Sequence, residues 1–143
     1  MKLFLTGEPC TQQRHCYFVR GESASFIVDC GYQRSYGRDA LPHIPVEYIR
    51  ESQYLFLTHS HENQSGALAY IHENGFTGRV VLSAETANQL HFTMDDPIIL
   101  EALCLPGEEA ELPGGLHITW GRSGHCLGSS WFHLRDGDKS ILF

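Results

Sequence analysis

The order of elements along the chain predicts a layered α/β domain. Three observations point to it. The first third is a series of short runs rich in Phe, Val, Ile and Tyr, bounded by turn residues. The middle alternates continuous apolar runs with segments of helical period. The end returns to strand patterns joined by a tight Asp136-Gly137-Asp138 turn.

Lys2–Thr6, His15–Arg20 and Ala24–Cys30 are the opening strands, the last two joined at Arg20-Gly21-Glu22-Ser23. Ile44–Glu51 reads as a short helix after Pro42 and Pro45. Gln53–Thr58 is a continuous apolar run, as a strand buried on both faces requires. Gln64–Asn74 turns helical, with Ala67, Leu68 and Ile71 at helical spacing and Gly75 as the stop. Arg79–Ser83 is a second buried strand. Ser83 caps a helix expected to run to about Met94, with Glu85 in the first turn, where the helix dipole favours negative charge. Asp96-Pro97 breaks that helix and starts a second helical stretch to about Cys104. Leu105–Gly115 is a loop; Leu116–Gly121, Ser129–Arg135 and Lys139–Phe143 are the closing strands.

The 143 residues and 42% hydrophobic content suit one domain. Ten Lys and Arg against 17 Asp and Glu give a net charge of −7. Affinity for nucleic acid rests largely on neutralising phosphates, so this chain offers little pull of its own on a polyanion. No apolar stretch approaches the roughly 18–20 residues of a membrane-spanning helix, and Glu8 argues against a signal peptide. The five cysteines, Cys10, Cys16, Cys30, Cys104 and Cys126, are odd in number and contain no Cys-x-x-Cys pair. A reducing cytoplasm is therefore the expected setting. The chain stops at Ile141-Leu142-Phe143 within a predicted strand, so a domain truncated at its C-terminal end is expected.

Nine histidines point to chemistry. Thr58-His59-Ser60-His61 follows a buried strand and leads into a helix. In extended chain, residues i and i+2 share a side, so His59 and His61 can present two imidazoles to one point. Gly124-His125-Cys126-Leu127-Gly128-Ser129 places a third imidazole between two predicted strands, with glycines that permit close backbone approach. Three protein ligands and an open position are the usual form of a catalytic zinc site. Two merely exposed or hydrogen-bonded histidines are the plainer account of the His-x-His pair taken alone.

The stretch Thr58-His59-Ser60-His61-Glu62-Asn63-Gln64-Ser65-Gly66-Ala67-Leu68 resembles the T-H-x-H-x-D-H-x-G-A-L signature of the metallo-β-lactamase fold. Ile27-Val28-Asp29-Cys30-Gly31 is similar to that family's earlier strand ending in Asp-x-Gly, and Gly124–Ser129 to its third motif. Phe76-Thr77-Gly78-Arg79-Val80 and the helix running from Thr86 to Asp95 resemble the β-CASP branch, which includes ribonuclease J and the pre-mRNA 3′-end endonuclease. The resemblance implies a metallo-β-lactamase-type αβ/βα four-layer sandwich, here as a partial, N-terminal portion forming a single domain over residues 1–143. It also implies a metal-dependent hydrolase whose ancestral substrate is a nucleic-acid phosphodiester.

Two positions depart from the family pattern. Asn63 and Gln64 stand where the family has Asp and His, the residues that help to hold a second metal. Neutral amides bind such ions weakly beside carboxylate or imidazole. The expectation is therefore one Zn2+, held by His59, His61 and His125, with Asn63 and Gln64 as degenerate second-metal positions and a second ion doubtful. Asp29 either orients a liganding histidine or caps the Cys30-Gly31 turn. Cys126 is either an added ligand or a buried structural thiol. Nucleic acid is a partner only through sequence missing from this chain, and no membrane contact is expected. The competing expectation is a non-catalytic homologue, a binding module that keeps the fold without the second metal site.

Other candidates carry less. His61-Glu62-Asn63-Gln64-Ser65 and His72-Glu73-Asn74-Gly75-Phe76 begin like His-Glu-x-x-His but lack the second histidine. His72 is expected to face the C-terminal dipole of its helix. His117 and His133 are expected on a solvent face, and Trp120, Trp131 and Phe132 in the core. His15, His43 and His91 have no assignable partner.

Overall fold

The computed structural model describes residues 1–7, 14–33 and 41–143; Cys10 lies outside them. Six strands form the first sheet, in sequence order: β1 (Lys2–Leu5), β2 (Cys16–Arg20), β3 (Ser25–Cys30), β4 (Tyr54–Phe56), β5 (Arg79–Leu82) and β6 (Ile98–Ile99). β1, β2 and β3 pair antiparallel, and β3 to β6 pair parallel. The second sheet is antiparallel, in the order β10 (Lys139–Leu142), β9 (Ser130–Asp136), β8 (His117–Arg122), β7 (Glu109–Glu111).

Residue patterns explain the layers. β3 and β4 are apolar almost throughout and buried on both faces, as expected of the centre of a parallel sheet. β9 alternates buried and half-buried positions, so one face is covered. Val28, Phe56 and Val81 from the first sheet meet Ile118, Trp120, Phe132 and Leu134 from the second in one core. Ile27, Leu55, Leu57 and Leu82 point the other way. They pack against Ile49 of α1 (Val46–Glu51) and Leu68 and Ile71 of α3 (Leu68–Glu73) in a second core. The described residues thus form helix, sheet and sheet layers, the layered α/β arrangement that the sequence predicts.

Four assignments differ from the sequence expectation. The helix predicted over Gln64–Asn74 is broken into α2 (Glu62–Ser65) and α3, because Gly66 passes so close to Tyr32 that no side chain fits, and the Ala67 N–H turns aside to the carbonyl of Cys30. α4 (Ala84–Gln89) stops early. Beyond it Leu90, Phe92 and Met94 pack beside the helix-side core at the i, i+2 spacing of extended chain rather than a helix. The stretch after Pro97 begins as β6, adding an edge to the sheet before α5 (Leu100–Leu103), and the predicted loop contains β7. Exposed Glu109 and Glu111 on that edge strand discourage pairing with another chain.

One irregularity shapes the site. Cys16 pairs with Cys30, but Tyr17 pairs with Val28, so Asp29 is the extra residue of a β-bulge. Its φ of 56° is left-handed, a region that Asp tolerates better than most residues. The bulge shifts the phase of the strand: Val28 faces the sheet–sheet core, while Cys30, two residues on, faces the helix side.

Candidate metal centre

Two loops meet at the ends of β4 and β9. After β4, Leu57 is fully buried and its N–H reaches the carbonyl of Val81, so the chain leaves the sheet from a fixed point. His59 and His61 follow. His61 is the N-cap residue of α2, and its carbonyl accepts from the N–H groups of Gln64 and Ser65, each at 2.9 Å. The Ser65 hydroxyl donates to the carbonyl of Ser60 at 2.9 Å. Across the site, the Ser130 N–H donates to the carbonyl of Thr58 at 2.9 Å and joins the two loops directly. Gln89 of α4 accepts from the Ser60 hydroxyl and donates to the carbonyl of Leu127.

The loops bring His59, His61 and His125 together. One ring nitrogen from each lies within 4.8 Å of the others. The ring centroids are 4.7 Å apart for His59 and His61, 4.8 Å for His59 and His125, and 5.3 Å for His61 and His125. His59 is buried; His61 and His125 are exposed. Burial, and then the neighbouring imidazoles of His61, His125 and His15, hold the His59 pKa down to about 4. At neutral pH its ring is uncharged, the form that ligates a metal. Among the described residues no carboxylate or thiolate belongs to the cluster.

Asp29 is buried and does not cap the Cys30-Gly31 turn. Its carboxylate accepts the Thr58 N–H at 2.9 Å and the Thr58 hydroxyl at 2.9 and 3.0 Å. Burial pushes the Asp29 pKa up to about 7, against the opposing effect of the two Thr58 donors. The Thr58 Oγ1 lies 3.0 Å from Nδ1 of His59. Asp29 therefore reaches the histidine cluster through Thr58 and not by direct contact.

Asn63 and Gln64 sit on α2 beside the cluster. The Asn63 carbonyl accepts the N–H of His15, and Gly31 passes so close to that carbonyl that a Cβ would collide with it. Gln64 is buried, with its Oε1 lacking a hydrogen-bond partner. Cys126 neither joins the cluster nor is fully buried; its N–H donates to Ser129 Oγ at 3.0 Å. Sequence reasoning missed the placement of His15, Thr58 and Gln89. For His15 no spacing signal exists, since it approaches through the β2–β3 pairing. His72 packs on Phe76 and Phe92 near the end of α3. His117 pairs with Glu109 at 3.3 Å on the outer face of the second sheet. Trp120 and Phe132 are core residues, but Trp131 is only half-buried, because it alternates to the outer face of β9.

A sandwich of this topology carrying a His-x-His pair and a third histidine on the opposite loop belongs to a known class. A family model of the metallo-beta-lactamase superfamily matches residues 11–143, and the chain belongs to that superfamily. It is similar to the transcription termination factor FttA of Methanothermobacter thermautotrophicus, with 26% identity over 150 residues covering 87% of this chain, and to FttA of Methanosarcina mazei, with 21% identity covering 91%. The chain spans 24% of the length of each of these relatives. Among solved structures, a HARLDQ-motif mutant metallo-beta-lactamase from Cronobacter sakazakii is 17% identical, with a TM-score of 0.69, covering 100% of this chain and 63% of that one. The class B3 di-zinc enzyme LRA-12 from an Alaskan soil metagenome is 20% identical, with a TM-score of 0.62, covering 98% and 57%. The likenesses to solved structures show the fold alone.

Proposed function

We propose that this chain is the metal-binding part of a metal-dependent hydrolase that cleaves nucleic-acid phosphodiesters in a cytoplasmic setting. The convergence of His59, His61 and His125 carries the proposal. Three imidazoles, one of them buried and uncharged, are a donor set suited to one zinc ion. Ligands of a tetrahedral zinc lie about 3.4 Å apart, so modest turns of the two exposed rings complete the approach. A zinc ion held there supplies Lewis acidity and lowers the pKa of water toward about 7. The chain itself holds the three ligands, with Asp29 as a positioning residue acting through Thr58. FttA relatives support nucleic acid as the partner. With a net charge of −7 here, phosphate contacts are assigned to sequence outside these residues.

A second ion does not fit. Asn63 and Gln64 offer only neutral amides, and no carboxylate joins the cluster among the described residues. That observation favours a second possibility, a homologue that binds one zinc but does not cleave. Zinc-loaded protein incubated with single-stranded RNA decides between them. Cleavage that disappears in His59→Ala with His61→Ala supports the hydrolase; zinc uptake without cleavage supports the binding module.

A further inference from the structure

We infer that the Thr58 hydroxyl is a positioning group that passes the polarity of Asp29 to His59 and fixes which ring nitrogen of His59 faces the cluster. The inference rests on the metal-site proposal above and adds a residue to it.

The direction of the chain of hydrogen bonds follows from counting protons. At pH well above 7, where Asp29 is ionised, its carboxylate can only accept, and it lies 2.9 and 3.0 Å from Thr58 Oγ1. Thr58 has a single hydroxyl proton, so that proton points to Asp29. The oxygen then has only lone pairs left for Nδ1 of His59, 3.0 Å away. Nδ1 must carry the proton and donate it. The other nitrogen, Nε2, is left with its lone pair free for a ligand bond. A neutral imidazole in water prefers the opposite tautomer, with the proton on Nε2, which would block that bond. The relay therefore holds His59 in the form that can ligate.

The surroundings make this more than a chance contact. Asp29 and His59 are both buried, so their hydrogen bonds are electrostatically strong. The Thr58 N–H also donates to Asp29 at 2.9 Å, which fixes the carboxylate against the backbone of the loop. Asp29 reaches that position because it is the bulged residue of β3; the β-branched Thr58 has few χ1 choices once both its N–H and hydroxyl are engaged. His61 and His125 are exposed, whereas among the described residues His59 is the one whose ring nitrogen meets a buried hydroxyl–carboxylate pair, so His59 is the ligand whose tautomer the fold sets.

Thr58→Val keeps the shape and the N–H bond but removes the hydroxyl; Thr58→Ser keeps the hydroxyl. Nitrogen-15 NMR of the ring, read first in metal-free protein at a pH well above 7 so that Asp29 is ionised, is expected to show His59 protonated at Nδ1 in the wild type and in Thr58→Ser, with Nε2 protonation gaining in Thr58→Val. Zinc affinity, measured by competition with a chelator, is expected to fall about 10- to 100-fold in Thr58→Val and to return in Thr58→Ser. His59 protonated at Nε2 in the wild type overturns the inference, as does a Thr58→Val affinity equal to the wild type. Because the tautomer is read without metal, failure of the wild type to bind zinc would sink the metal-site proposal and leave this measurement standing on its own. Should Thr58→Val not fold, the wild-type tautomer alone decides.

Discussion

Ser83 donates its hydroxyl to the carbonyl of Gly128 at 2.7 Å and accepts the N–H of Thr86 at 3.1 Å, so the N-cap of α4 is also the clamp on the loop that carries His125. Gly128 has φ of 86° and lies so close to Thr86 that a Cβ would collide with backbone. The third histidine is thus positioned by a helix cap and a glycine that no other residue can replace without strain.

Gly128→Ala is accordingly expected to cost about 1–3 kcal/mol through its left-handed backbone and the displaced helix cap. It also shifts His125. Chemical unfolding measures the first effect and zinc titration the second. The variant is expected to lose affinity even when it is folded; wild-type affinity in folded Gly128→Ala would separate the clamp from the site.

The metal-free protein carries two opposing pH responses. Asp29, pushed up to about 7 by burial, keeps a proton in the folded state that the unfolded chain, near 3.8, has released. Its contribution therefore favours folding below about 4 and is lost as pH rises through about 7. His59, held down to about 4, refuses a proton that the unfolded chain accepts below 6.5. Its contribution is present above 6.5 and is lost as pH falls through about 4. Between those limits the two slopes oppose each other. Asp29→Asn keeps a residue tolerant of left-handed backbone and removes only the charge, so its stability is expected to rise with pH from 4 to 6.5. His59→Gln is expected to lose stability with rising pH from 4 to 7. Urea midpoints across this range check both; equal slopes in the two variants would contradict the assignment.

Asn63→Asp with Gln64→His restores a carboxylate and an imidazole where only amides stand. Zinc uptake is expected to rise above one ion per chain when metal is in excess, as measured by elemental analysis after gel filtration. Uptake unchanged from the wild type would mean that these two positions are not what limits the second ion.

Much of this was legible in the residues. His59 and His61 follow a continuous apolar run, and that spacing alone puts both rings on one side. His125 could be assigned because two glycines and two strand patterns frame it. What escaped depends on pairing between distant segments. The bulge at Asp29 arises from the β2–β3 register, which no local pattern records, and it is this register that carries the Asp29 carboxylate to Thr58, a contact between residues 29 positions apart. The helix break at Gly66 comes from contact with Tyr32, and the early end of α4 from apolar residues drawn onto a core formed elsewhere. Trp131 was misplaced because composition cannot say which face of a strand is covered.

Elemental analysis of zinc in purified, zinc-loaded protein beside a His59→Ala, His61→Ala, His125→Ala variant tests the centre most directly. One ion per wild-type chain and none in the variant is the expected result. A wild type that takes up no zinc, or a triple variant that retains it, would contradict the assignment of these three histidines.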